Sequence, residues 1–64
     1  MKIDIYHHTR NRFVAVRHTH AVPESWAGAR YFKTIDLKPD DVRYGLGHAA
    51  QVLAAIEETG YAAI

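Results

Sequence analysis

Lys2-Ile3-Asp4-Ile5-Tyr6-His7-His8 and, after Thr9-Arg10-Asn11, Arg12-Phe13-Val14-Ala15-Val16-Arg17-His18 decide the fold of this chain. The first run alternates with period two. Ile3 and Ile5 face one way, and Lys2, Asp4 and Tyr6 face the other, which is the pattern of a half-buried strand. The second run is rich in β-branched and aromatic residues. Asn11 tolerates the positive φ of a tight turn, so the two runs form a β-hairpin. Its register has two solutions. A two-residue turn at Arg10-Asn11 sets Val14 and Val16 on the face of Ile3 and Ile5, whereas a three-residue turn sets Phe13 and Ala15 there. A slip of one residue exchanges the faces. The first register is preferred, because it gathers four β-branched residues on one face.

Outward from the hairpin, residues 19–29 carry Pro23 and Gly28 without periodicity and form the longest loop. A lone tryptophan, Trp26, is expected to fold over an edge of the core as a lid. Arg30-Tyr31-Phe32-Lys33-Thr34-Ile35-Asp36 reads as a third strand. Lys38-Pro39-Asp40-Asp41 resembles a helix entrance, with proline in the first turn and aspartates at the positive end of the macrodipole. Val42, Leu46, Ala49, Leu53 and Ile56 then form one apolar stripe, with His48, Gln51 and Glu58 opposite. Gly45 and Gly47 either separate a short first turn over residues 39–45 from the main helix or admit a close strand. Gly60 is suited to end the helix, and Tyr61-Ala62-Ala63-Ile64 has room for a short strand. The expected fold is a single α+β domain over residues 1–64: an antiparallel hairpin, a third strand, one amphipathic helix on one sheet face and a short terminal strand.

The chain has 64 residues and no cysteine, so disulfides and thiolate zinc sites are excluded. A chain this short buries only about 60% of its unfolded surface, and small folds often add a partner chain. Eight basic residues against seven acidic ones give no bulk attraction to nucleic acid. No apolar run approaches the ~20 residues of a membrane span, and the opening stretch does not read as a signal peptide. The expected location is the cytoplasm.

Five histidines stand out: His7, His8, His18, His20 and His48. The hairpin scatters them. At ~3.3 Å per residue, the His7/His8 pair and the His18/His20 pair lie roughly 20–30 Å apart. Only His18 and His20 share a face, and no acidic partner is obvious, so no metal and no cofactor is expected. Ser25, the only serine, lacks the setting of a nucleophile elbow. Gly45-Leu46-Gly47 lacks the strand and lysine of a phosphate loop. An enzyme is not expected.

Binding is the better candidate. In the preferred register Tyr6, Phe13 and Arg17 lie on the face away from Ile3 and Ile5. With Arg12 and with Tyr31 of the third strand they form the candidate interaction surface. Such a face can bury against a second subunit or another protein. Alternatively, its aromatics and arginines can stack bases and hold the phosphates of single-stranded nucleic acid.

Met1-Lys2-Ile3-Asp4-Ile5-Tyr6, Val22-Pro23 followed by Trp26, Ile35-Asp36-Leu37 and Glu58-Thr59-Gly60-Tyr61-Ala62 resemble a family of short bacterial proteins known only as a domain of unknown function. That resemblance implies a small bacterial domain and carries no site residues. The architecture is also similar to the N-terminal domain of HicB-type antitoxins, which implies a protein partner. The function expected is a non-enzymatic protein-interaction module, homodimeric or with another protein; the alternative is a single-stranded nucleic-acid binder.

Overall fold

A computed structural model describes residues 1–40 and 49–64. Alternating runs become β1 (Lys2–His7), β2 (Phe13–Arg17) and β3 (Arg30–Asp36). Helix α1 spans Ala49–Thr59 and is followed by β4 (Tyr61–Ala63). All neighbouring strands are antiparallel, in the order β3-β1-β2-β4. The expected α+β architecture, with its helix on one sheet face and its short terminal strand, is therefore present.

The hairpin register corrects the preferred reading. Ile3 pairs with Arg17, Ile5 with Ala15 and His7 with Phe13. The loop thus has three residues, Thr9 to Asn11, closed by the His8 amide donating to the Arg12 carbonyl at 2.8 Å. The positive φ falls on Arg10 (60°) rather than on Asn11. The His7 Nε2–H donates to the Arg10 carbonyl at 2.6 Å and helps to hold that conformation. Ala15, not a valine, sits beside Ile5 on the helix face.

The small residue has a packing consequence. Ile5, Ala15 and Ala62 lie in one row across β1, β2 and β4. The two alanines leave room for α1, whose Ala49, Val52 and Ile56 join Ile3, Ile5, Ala15, Ile35, Leu37 and Ala62 in one buried cluster. Fully burying a side chain such as Ile56 contributes about 1.5–3 kcal/mol. Within the described part of the helix, Val52 is the more buried residue and Leu53 packs at the margin, so the stripe is turned slightly from the expected one. Val42, Leu46, Gly45, Gly47, His48 and the continuity of 39–45 lie outside the described residues. The helix ends as expected: Gly60, at φ 92°, donates its amide to the Ile56 carbonyl at 2.8 Å, closing an αL cap.

The opposite sheet face is also covered. Val14 and Val16 point there and are fully buried. Segment 18–29 returns across this face, touching it at both ends. His18 meets Asp4 at the start, and Trp26, in a 3-10 turn at Glu24–Trp26, meets His8 and Arg12 near the end. Trp26 is buried, as expected of a lid. Thus the hairpin has no open outer face.

Candidate binding surface

The expected surface residues separate. Tyr6 and Arg12 lie on the loop-covered face, while Phe13 and Arg17 lie on the helix face, since Phe13 is opposite His7 and Arg17 opposite Ile3. The cause is the three-residue turn, which exchanges the faces of β2. Arg12 stacks its guanidinium over Trp26 at 4.8 Å, and Phe13 is half-buried against the core cluster. What remains exposed and apolar is on β3. Among the described residues the exposed large apolar side chains are Tyr31 (58%) and its neighbour Phe32 (54%).

A bulge explains why both neighbours stand out. Ile5 pairs with Lys33 but Tyr6 pairs with Tyr31, so β3 carries one extra residue, Phe32. Tyr31 goes to the loop side, where its ring meets the edge of Tyr6 at 5.8 Å. Phe32 goes to the helix side, 5.6 Å from Phe13, with the Lys33 ammonium 5.4 Å from its ring. The two rings therefore straddle an edge strand. Among the described residues the backbone of that edge also has no strand partner. The Leu37 amide bonds to the Met1 carbonyl, so pairs 3–35, 5–33 and 7–30 continue the bonded set on β1. The amides and carbonyls of Tyr31, Thr34 and Asp36 consequently point away from the sheet.

Tyr31 is anchored from within. Its hydroxyl donates to Thr34 Oγ1 at 2.7 Å, and Thr34 donates to Asp4 Oδ1 at 2.6 Å. Asp4 is only 5% exposed, which corrects its expected place on a solvent face. It also accepts from His18 Nδ1 at 2.8 Å and, through Oδ2, from the Thr19 amide at 3.0 Å. Burial by itself pushes the Asp4 carboxyl up. The hydrogen bonds from His18, Thr34 and the Thr19 amide outweigh it, with the charge on His18, and hold the group below its ordinary value. The network fixes Thr19 at φ 69°, a conformation costly for a β-branched residue.

His18 thus has the acidic partner that the sequence reading did not find. An Asp–His pair of this kind can orient a general base, but no hydroxyl nucleophile among the described residues is bonded to His18 Nε2. Here the pair fastens the loop. His18 turns toward Asp4 after β2 has ended at Arg17, so His18 and His20 do not continue a strand face. Among the described residues, no group of three or more His, Cys, Asp or Glu side chains is arranged to hold a metal ion. No described helix is long and apolar enough to cross a membrane. Asp4 could have been suspected from sequence only by noticing that an acid between Ile3 and Ile5 needs a partner if both sheet faces are covered.

Comparison with protein-family models, curated proteins and solved structures found no match to this chain.

Proposed function

We propose that the chain is a non-enzymatic protein-interaction module that pairs with a second copy of itself along the edge of β3 that no described strand covers. The observation that carries this reading is the adjacent exposure of Tyr31 and Phe32 on either side of that edge. An unpaired edge offers amides and carbonyls to a further strand, and aromatics flanking it add apolar contact. Charge supports a second copy as occupant. Arg30 and Asp36 close opposite ends of β3, so antiparallel pairing of two copies brings each basic end toward an acidic one. The other edge is less suitable. Strand β4 has three residues, and its Tyr61 carbonyl already accepts the Thr59 hydroxyl at 3.0 Å. The bulge at Phe32 limits the ladder to short stretches on either side of it, which favours a reversible contact over a permanent one.

The nucleic-acid alternative built on Tyr6, Arg12, Phe13 and Arg17 is not advanced, because those side chains lie on two faces. A cytoplasmic location and the resemblance to short bacterial domains belong to the same proposal. Sedimentation from micromolar to millimolar protein tests it. The chain should pass from monomer to dimer, and Phe32→Lys should weaken association by about tenfold or more while circular dichroism stays unchanged. A monomer throughout, or an unaffected variant, would overturn the reading.

A further inference from the structure

The hairpin end holds an open cleft of about 470 Å³, lined by His7, His8, Thr9, Gly28 and Arg30. We propose that this cleft is a phosphate-binding site, with the Arg30 guanidinium as its anchor and the Gly28 amide as a further donor.

Charge distribution is the first support. The chain is nearly neutral overall, yet its segments 5–23 and 25–35 contain no aspartate or glutamate. The cleft is built from those two segments, and Arg10 and Arg12 belong to the same hairpin turn. Among the described residues no carboxylate lines it. Concentrated positive charge in a concave site raises the local concentration of anions even where net charge is small.

Donor geometry is the second. Within one copy and among the described residues Arg30 makes no ion pair, so in the unpaired chain its planar fork is available to grip two phosphate oxygens, whereas β3 pairing sets an Asp36 of the second copy toward it and competes with the anion. The imidazoles are tethered. His7 Nε2–H donates to the Arg10 carbonyl, and His8 Nε2–H donates to the Ala27 carbonyl at 3.3 Å. With the proton on Nε2, His8 Nδ1 accepts the Thr9 hydroxyl at 3.3 Å, which fixes that rim of the cleft. Gly28 has φ 93°, and a side chain there would meet only open space. Its amide takes no part in the described backbone bonds. The walls are therefore pre-shaped by the turn and by the loop that Trp26 pins. Inorganic phosphate and a phosphate ester share this chemistry.

Amide NMR of the intact chain at low ionic strength, titrated with inorganic phosphate against matched chloride, tests the assignment. Saturable shifts are expected at His7, Thr9, Gly28 and Arg30. Arg30→Gln should weaken the binding by about tenfold, as loss of a bidentate charged contact implies, whereas Arg17→Gln should leave it unchanged. A second arm compares a nucleoside with its monophosphate and separates an ester ligand from free phosphate, since only the monophosphate should outcompete phosphate if the ester is preferred. Equal shifts with chloride, shifts that never saturate, or an Arg30→Gln variant that binds like the parent would overturn the proposal. The titration is repeated on Phe32→Lys, where failure of β3 pairing and failure of the cleft read out separately.

Discussion

Asp4→Ala removes the acceptor on which three segments converge. His18, Thr34 and the Thr19 amide all donate to the carboxylate, at 2.8, 2.6 and 3.0 Å. A hydrogen bond to a charged group contributes about 1.5–3 kcal/mol when it is well enclosed. The three donors are not equal. The His18 side chain is 44% exposed, so solvent screens its link, which is worth about 1 kcal/mol or less. Thr34 and the Thr19 amide are more enclosed and dominate. Simple addition overshoots, because burying the carboxylate has its own cost. About 3 kcal/mol is the expected loss for Asp4→Ala, and under about 1 kcal/mol for His18→Gln. A chain of this length has roughly 3–10 kcal/mol in all, so Asp4→Ala removes a large share of it. Urea unfolding followed by the fluorescence of buried Trp26 measures both variants. Asp4→Ala costing less than about 1 kcal/mol, or costing no more than His18→Gln, would refute this ranking.

The pH dependence of Asp4 follows from the direction of its shift. Its carboxyl is held below the ordinary 3.8 in the folded chain, so its stabilisation is fully present above that value and is lost as pH falls through the lower folded value. Unfolding free energies measured from neutral to strongly acidic pH should therefore fall below about 4, and Asp4→Asn should flatten that limb. Val16→Ala should cost about 2 kcal/mol in the same urea assay, because Val16 is fully buried on the sheet face away from the helix; a cost near zero would mean that face is open. Thr19→Gly should be neutral or stabilising by up to about 1 kcal/mol, since glycine adopts φ 69° without strain and keeps the amide that Asp4 accepts. Gly60→Ala should lose about 1 kcal/mol on thermal unfolding. Open space surrounds the new methyl, so the loss would be purely conformational.

How far the sequence could be read depended on which signals were local. The period-two alternation of Ile3 and Ile5 and the composition of residues 30–36 place two strands, and Gly60 marks the helix end by its own conformational freedom. The register of β2 was not legible, because Phe13-Val14-Ala15-Val16 offers apolar side chains to both faces. That unbroken run is itself the mark of a strand covered on both sides. Two one-sided registers fit the same run. The burial of Asp4 is hidden for the same reason. Its partners come from a turn at Thr19 and from β3, and such contacts are set by topology rather than by spacing along the chain. The bulge at Phe32, which brings Tyr31 and Phe32 out on opposite faces, leaves no trace in a pattern of one strand.

Amide hydrogen exchange across a protein concentration series tests β3 pairing most directly. The outward amides of Tyr31, Thr34 and Asp36 should exchange freely in dilute solution and become protected together as concentration rises, while the inward amides of Lys33 and Ile35 stay protected throughout. Outward amides that remain unprotected at the highest concentration would contradict the account.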